Sequence, residues 1–193
     1  MDDKTLEFDG KRRLIQHLDA AMDGECAETI TQCIRDLLCK LMEERALNLP
    51  ACVYDCPDEH YARRLIHKDA QRGYTVMAMT WGPGQATPIH DHSGMWCVEA
   101  VWNGQIEVTQ YELTEAREHR YRLEPRTTMR AGIGSAGSLI PPHEYHTIRN
   151  PSARETAVTI HIYSGEMNQC AVFHRERDDW HTRQSCELHL DAA

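Results

Sequence analysis

Two strand-like runs that meet at Asn103-Gly104 constrain the fold of this chain more than any other feature. The stretch reads MWCVEAVWNGQIEVTQYEL, and β-branched and aromatic residues are frequent on both sides of the Asn-Gly pair. An Asn-Gly pair between such runs indicates the tight turn of a β-hairpin. Other short strand-like segments, such as YTVMAMTW before it and TAVTIHIYS after it, recur with turn residues between them. Short strands in regular succession predict a sandwich or barrel rather than alternating strands and helices.

Helical periodicity is confined to the N-terminal part of the chain, residues 1–50. Apolar residues recur there at i, i+3, i+4 and i+7 in KRRLIQHLDAAM and in CAETITQCIRDLLCKLMEERAL. Cys33 falls among the apolar positions of the second segment, which predicts that it is a core residue. A chain of 193 residues suits one domain. We therefore expect a single domain over residues 1–193, with helices at 1–50, a β-barrel core at 58–175 and a polar, irregular tail at 176–193.

Charge and cysteine usage restrict the classes of binding partner and the cellular compartment that we expect for this chain. With 21 Lys and Arg against 30 Asp and Glu, the formal net charge is −9, which disfavours binding to nucleic acid or to an anionic membrane surface. No apolar run approaches the roughly 18 residues of a membrane-spanning helix, and the charged start MDDKTLEFDGKRR lacks the apolar core of a secretion signal. The eight cysteines are irregularly spaced and form no Cys-x-x-Cys pair. This usage favours free thiols in a reducing, cytoplasmic environment.

His90 and His92 are the strongest candidates for metal chelation. They lie two residues apart in GPGQATPIHDHSGMWC, so on a strand both imidazoles point to one side and Asp91 points to the other. Two unrelated residues of a barrel interior would show the same spacing. A third ligand is offered by PPHEYHTIRN, in which His143 and His146 face opposite ways on an extended segment. Spacing alone does not choose between these two histidines.

Two longer patterns resemble the conserved motifs of cupins. G-x5-H-x-H-x4-C-x6-G over residues 84–104 is similar to the first motif, with Cys97 at the position where most cupins have a metal-binding glutamate. P-x4-H-x3-N over residues 141–150 is similar to the second motif, which selects His146 as the third ligand. The resemblance implies a mainly β fold, a cupin jelly-roll β-barrel with an N-terminal helical segment. A three-histidine cupin without the glutamate resembles the thiol dioxygenases, and specifically the cysteine dioxygenase family.

A shorter segment extends this resemblance to substrate binding. YARRLI is similar to the family segment whose arginine binds the substrate carboxylate, which implies that role for Arg63, with Tyr61 beside it. Arginine at this position favours L-cysteine, since relatives with glutamine there prefer 3-mercaptopropionate. The alternative for Arg63 is a surface salt bridge.

A second segment resembles the catalytic relay of the same family. TIHIY is similar to its Ser-x-His-x-Tyr pattern, which here comprises Thr159, His161 and Tyr163. These three residues alternate on a strand and so share one face; the alternative is a polar inner stripe of a barrel. In animal-type members a cysteine at the Cys97 position forms a thioether with this tyrosine. The resemblance therefore implies a Cys97–Tyr163 crosslink, and the alternative is a buried thiol that packs against the aromatic ring.

The chemistry that these residues imply is the oxidation of a thiol by O2. Three neutral imidazoles suit a divalent first-row metal and would leave its full positive charge to attract a thiolate. The resemblance implies an Fe(II)-dependent enzyme whose partners are a small thiol and O2, with L-cysteine converted to cysteine sulfinic acid. The alternatives are a 3-mercaptopropionate dioxygenase and a non-catalytic cupin that binds a metal or a small ligand. Other cupin metalloenzymes usually retain the glutamate that Cys97 replaces.

Overall fold

The computed structural model describes residues 5–192 and shows strands preceded by two helices. Residues 1–4 and Ala193 lie outside the described residues. Residues 1–4 belong to the predicted helical segment and to the stretch predicted to lack a secretion signal, and Ala193 belongs to the predicted tail. Helix α1 is Lys11–Ala21, helix α2 is Ala27–Glu43, and a short 3-10 turn covers Ala51–Tyr54. The strands of the described part are β1 Ala62–Asp69, β2 Tyr74–Trp81, β3 Ile89–His90, β4 Cys97–Asn103, β5 Gln105–Arg117, β6 Arg120–Gly132, β7 Ala136–Leu139, β8 His146–Arg149, β9 Ala157–Tyr163, β10 Gln169–Arg175 and β11 Trp180–Glu187.

The strands are arranged in two antiparallel sets. Five form a sheet in the order β1-β2-β9-β4-β7, and six close on themselves in the order β10-β11-β6-β5-β8-β3, because β3 pairs with both β8 and β10. This mainly β, jelly-roll-like architecture with two N-terminal helices confirms the fold class predicted from the sequence. Neither helix in the described part of the chain has the length and apolar character that crossing a bilayer requires.

The five-stranded sheet is buried on both faces. Helices α1 and α2 pack on its outer face, where Leu18 and Ile34 join one core cluster with Val76 and Ile160. The alternate side chains of the same strands point into the barrel, so β2 and β9 are buried along their whole length. Side chains on the inner face of β2, β4 and β9 therefore meet in a closed interior, and this interior contains the candidate site.

The chain at Asn103-Gly104 turns from one sheet to the other instead of closing the predicted hairpin. Strand β4 pairs with β7 and β9, whereas β5 pairs with β6 and β8. Gly104 has φ +71°, and a Cβ there would lie 2.9 Å from the carbonyl oxygen of Thr156. The glycine thus serves a corner at which the chain passes close to another segment. The hairpin prediction is wrong because both flanking strands find their partners elsewhere.

The prediction that Cys33 is a core residue is also wrong, since this cysteine is exposed. The buried stripe of α2 consists of Thr31, Ile34, Leu38 and Leu41. Cys33 directly precedes Ile34, so it lies roughly 100° away around the helix axis and outside that stripe.

The segment predicted to be an irregular tail contains strand β11. This strand pairs with β10 along its whole length and with β6 at its start. Half of its side chains are exposed and only one is buried, so it lacks the apolar alternation by which strands are predicted. One residue of this strand, His181, is buried. Beyond β11 the chain runs along β1, where Asp191 N–H donates to the carbonyl oxygen of Arg63 at 2.8 Å.

Candidate metal centre

Three imidazoles converge in the barrel interior. His90 on β3 and His146 on β8 are paired in the strand register, and His92 follows two residues after His90. One nitrogen of each ring lies within 4.8 Å of the others, and the ring centroids are 4.3–5.4 Å apart. Of the two histidines that spacing left open, His146 is buried in this cluster and His143 is exposed. The structure thus brings together the three histidines that the cupin resemblance selects.

The segment between His90 and His92 is anchored by Asp91, which faces away from the cluster as expected. Its carboxylate accepts hydrogen bonds from the backbone N–H of Ala171 at 2.8 Å and of Ser93 at 3.1 Å. These bonds hold the short strand β3 against β10 and thereby fix the direction of both imidazoles.

Backbone carbonyls orient two of the three rings. His146 Nδ1 lies 2.8 Å from the oxygen of Glu144, and His90 Nδ1 lies 3.2 Å from the oxygen of Pro88. Because a carbonyl only accepts, each Nδ1 carries the proton and each Nε2 presents its lone pair. Burial lowers the pKa of His90 to about 3 and that of His92 well below its ordinary value. These rings are therefore neutral at physiological pH, as metal ligation requires.

The nitrogens of this cluster fit a metal ion. Both ring nitrogens of His92 and Nε2 of His146 are buried and have no hydrogen-bond partner within residues 5–192. Buried polar atoms without a partner are costly, so the arrangement calls for a group that accepts one lone pair from each of these rings. Three neutral imidazoles are a donor set that divalent first-row metals prefer.

A chain of polar side chains leads from the outer end of β2 to this cluster. Trp81 Nε1 donates to Thr159 Oγ1 at 2.9 Å, Thr159 Oγ1 lies 2.7 Å from His161 Nε2, and His161 Nδ1 lies 3.3 Å from the hydroxyl of Tyr163. Because Thr159 accepts from the indole, we assign its own proton to the bond with His161, which leaves the Nδ1 proton of that ring directed at Tyr163. The Tyr163 ring packs edge-on against His92, with centroids 5.4 Å apart. Burial raises the pKa of Tyr163 well above its ordinary value, so the phenol retains its proton.

Cys97 faces this chain from the neighbouring strand. It is paired with Tyr163 in the register of β4 and β9, and its Sγ lies 3.9 Å from His161 Nδ1. Burial raises the pKa of the thiol well above its ordinary value. The crosslink and the packed thiol considered from the sequence both require this adjacency.

A cavity of about 110 Å³ lies beside the histidine cluster. Its wall includes His90 and Tyr163 as well as Tyr61 and Arg63. Tyr61 stacks on Trp81 with ring centroids 4.5 Å apart, which fixes its ring at the wall. The residues that the resemblance assigns to substrate binding therefore share a cavity with one candidate metal ligand, His90.

Arg63 is a buried cation without a carboxylate partner in the described part of the chain. It lies on β1, is 5% exposed, and donates to the carbonyl oxygens of Met167 at 2.9 Å and His189 at 3.2 Å. The surface salt bridge considered from the sequence is not what the structure shows, since Arg63 forms no ion pair within residues 5–192. A buried charge without a counter-charge is costly, so the cavity favours an anionic group next to Arg63.

Glu99 is the residue that the sequence reasoning missed. It is 8% exposed, and its Oε1 lies 3.3 Å from His146 Nε2 and 3.3 Å from His161 Nδ1. Burial acts to raise the pKa of this carboxyl, but His161 and His146 outweigh it and hold the pKa well below its usual range. The interior therefore contains a carboxylate beside the histidines that we predicted as metal ligands. Strand alternation was the available signal, because Glu99 comes two residues after the inward-facing Cys97.

Comparison with protein families and with curated proteins gives one consistent family. The family model described as cysteine dioxygenase type I matches residues 38–176. Cysteine dioxygenase type 1 of Danio rerio is 26% identical over 113 residues, which are 58% of this chain and 55% of that protein. The protein of the same name from Rattus norvegicus is 26% identical over 117 residues with the same coverage. The chain thus spans about half the length of the curated relatives that it matches.

Comparison with solved structures finds cupins at low sequence identity. The cupin domain of Schizosaccharomyces pombe Cnp3 has a TM-score of 0.46 and 13% identity over 62% of this chain and 74% of that one. A cupin 2 domain-containing protein from Halorhodospira halophila has a TM-score of 0.43 and 19% identity over 65% of this chain and 77% of that one. The family model covers well over half of the chain and includes all three histidines of the cluster, and the chain belongs to the cysteine dioxygenase type I family.

Proposed function

We propose that the protein is an Fe(II)-dependent thiol dioxygenase that converts L-cysteine into cysteine sulfinic acid. The observation that carries this proposal is the cavity that brings together His90, one of three convergent imidazoles, and the guanidinium of Arg63, which has no carboxylate partner within residues 5–192. Membership of the cysteine dioxygenase type I family supports the assignment to dioxygenase-type enzymes. The reaction is balanced without a further co-substrate, because a thiol and one O2 contain all the atoms of a sulfinic acid.

His90, His92 and His146 would hold the iron. Fe(II) bound there would supply the redox chemistry that joins both oxygen atoms of O2 to the substrate sulfur. The protein contributes orientation, since carbonyl oxygens already direct the Nε2 atoms of His90 and His146. Little rearrangement is then needed when a metal binds.

Arg63 would hold the substrate carboxylate and so direct the thiol towards the histidines. A guanidinium has five N–H donors, and two of those of Arg63 are used on backbone carbonyls. The remaining donors suit a carboxylate, which accepts two parallel hydrogen bonds from one guanidinium. Fixing the carboxylate at one wall makes the reaction at the sulfur nearly intramolecular. Tyr61 offers a hydroxyl at the same wall.

Tyr163 would donate a proton into the cavity. His161 Nδ1–H points at its phenol oxygen, so the phenol proton is left for a substrate or oxygen atom. If the Cys97–Tyr163 thioether of related enzymes forms, O2 takes up the two hydrogen atoms that the thiol and the ring lose. The intact mass of protein loaded with iron and incubated with cysteine in air then falls by two hydrogen atoms, and a Cys97→Ser variant shows no such change.

Oxygen uptake by protein reconstituted with Fe(II) under anaerobic conditions tests the function. We expect one O2 consumed per thiol with sulfinic acid as the product, and a higher kcat/KM for L-cysteine than for 3-mercaptopropionate. The reverse order of the two thiols would assign the enzyme to 3-mercaptopropionate. Stoichiometric iron binding without oxygen uptake on either thiol would make the protein a metal-binding cupin and refute the proposal.

A further inference from the structure

We propose that Cys170 and Cys186 form a redox-active thiol pair in the wall of the 110 Å³ cavity, and that a small disulfide such as cystine closes this pair to a protein disulfide. The choice of cystine rests on the proposed function, because cystine is the oxidised form of the proposed substrate. The pairing of the two thiols does not depend on that function, since the bond needs neither a metal nor O2.

The strand register places the two cysteines directly opposite each other, Cys170 on β10 and Cys186 on β11. Opposite residues of antiparallel strands have Cα atoms about 4.5–5.5 Å apart and side chains on the same face. A disulfide requires Cα atoms about 4.4–6.8 Å apart. Of the eight free cysteines, all within residues 5–192, these two are the only ones that are register partners. The sheet therefore already holds them at a spacing that a disulfide can bridge.

The two thiols pack together beside the residues proposed to bind the substrate. Cys170 is buried in a core cluster against which Cys186 packs. Burial raises the pKa of Cys170 to about 12, the Cys186 thiol acts in the same direction, and Arg63 opposes the rise. The guanidinium that would hold a substrate carboxylate is therefore close enough to influence this thiol.

Cys186 is the member of the pair that solvent reaches. It is partly exposed, whereas Cys170 is buried, and both line the cavity together with Tyr61 and Arg63. Cystine has a carboxylate on each half, so Arg63 suits it for the same reason that it suits cysteine. A small disulfide that enters the cavity thus meets the accessible thiol of Cys186 first.

Two exchange steps close the bond. The Cys186 thiolate attacks one sulfur of cystine, which releases one cysteine and leaves the other joined to Cys186 as a mixed disulfide. Cys170 then loses its proton and attacks Sγ of Cys186, which releases the second cysteine. One cystine is reduced to two cysteines, which take up the electrons and both protons, and two protein thiols are oxidised to one disulfide. Because the pKa of Cys170 is high, the second step is the slower one.

The state of the pair would follow the ratio of cystine to cysteine. Excess cysteine reverses both exchange steps, so in a reducing compartment the pair is open unless cystine accumulates. The closed form tethers the chain ahead of His189, whose carbonyl oxygen accepts from Arg63 at 3.2 Å. The bond encloses the 15 residues between the two cysteines. A crosslink of this size should raise Tm by about 5–10 °C.

Peptide mapping after treatment with cystine tests the proposal. Protein loaded with Fe(II) is incubated with cystine under anaerobic conditions, denatured in N-ethylmaleimide to block the remaining thiols, and digested with trypsin. Trypsin cleaves after Arg154, Arg175 and Arg183, so the two cysteines fall in separate peptides. We expect these two peptides to be joined, and a reductant should separate them. A Cys97–Tyr163 thioether would need O2 and would survive the reductant.

Serine variants identify the order of the two steps. Cys170→Ser should stop at the mixed disulfide and keep one cysteine joined to Cys186, which the wild type loses. Cys186→Ser should give no crosslink. Cys56 is also partly exposed but does not line the 110 Å³ cavity, so Cys56→Ser is the matched control and should close the pair as the wild type does.

The outcomes separate this inference from the proposed function. If the two peptides stay unlinked at every ratio of cystine to cysteine, the inference is overturned, whether or not the enzyme oxidises thiols. A crosslink in protein that takes up no O2 with either thiol supports the inference and refutes the proposed function. A crosslink that lowers Tm would show that the bond distorts the barrel, and it would overturn the inference that the sheet holds this pair ready to close.

Discussion

Replacing Arg63 with glutamine should remove recognition of the substrate carboxylate. Arg63 is 5% exposed and has no carboxylate partner in the described residues, so the substrate would be its counter-ion. A hydrogen bond to a charged group contributes about 1.5–3 kcal/mol. Losing two such bonds and regaining one neutral bond from the amide costs about 3 kcal/mol, which corresponds to roughly a hundredfold lower kcat/KM.

The same change also affects stability, and a neighbouring arginine separates the two effects. Arg63→Gln leaves the carbonyls of Met167 and His189 without their donor, which we expect to lower stability by about 1–3 kcal/mol. Arg64 is 6% exposed and donates to the carbonyl of Asp55, among other groups, but does not line the 110 Å³ cavity. Arg64→Gln should therefore destabilise the protein to a similar extent while the folded enzyme keeps its kcat/KM.

The assay compares oxygen uptake with cysteine, 3-mercaptopropionate and cysteamine, a thiol that lacks the carboxylate. Arg63→Gln should lose activity on the two carboxylates and keep whatever activity the wild type has on cysteamine. Equal losses on all three thiols, or an equal loss in Arg64→Gln, would show that Arg63 acts through stability alone and refute the reasoning.

Three further predictions concern the relay, the metal and a cavity thiol. Replacing Thr159 with valine leaves Trp81 Nε1 and His161 Nε2 buried without a partner, so the free energy of unfolding should fall by about 1–3 kcal/mol and kcat should fall with it. Serine at this position should restore both quantities. An unaltered kcat in the valine variant would contradict the relay. Removing the metal with a chelator should lower Tm by about 5–10 °C. A ligand at a hundred times its Kd contributes about 2.7 kcal/mol to stability, and each kcal/mol moves Tm by about 2–4 °C. Calorimetry should find no such difference between the metal-loaded and metal-free forms of His146→Ala. Burial raises the pKa of Cys170 to about 12. At pH 8 its alkylation, followed by mass spectrometry, should therefore be about a thousandfold slower than that of exposed thiols. Equal alkylation rates would show that the Cys170 thiol is not shielded.

The parts of the site that depend on local geometry could be predicted from the sequence. His90 and His92 share a face because strand side chains alternate, and the same rule aligns Thr159 with His161. His146 could not be chosen this way, because its position depends on the pairing of β3 with β8, which lie far apart in the chain. The resemblance to a known family supplied that long-range information.

The errors share a physical cause, which is that local signals do not determine which strands become neighbours. The turn at Asn103-Gly104 is real, but competition from β7 and β9 for β4 decides that it joins two sheets. Strand β11 was missed because an exposed strand needs no apolar alternation. Glu99 could not be inferred from the cupin motif, because its carboxylate faces the interior two residues after the motif's glutamate position.

The segment after β11 has a practical consequence for making the protein. Residue Asp191 exchanges backbone and side-chain hydrogen bonds with Arg63, and the carbonyl of His189 accepts from its guanidinium. An affinity tag fused directly after this segment would disturb His189 and Asp191, whose hydrogen bonds position Arg63 in the cavity wall. Purification handles are therefore better placed ahead of α1, and a long spacer is advisable wherever a C-terminal fusion is unavoidable.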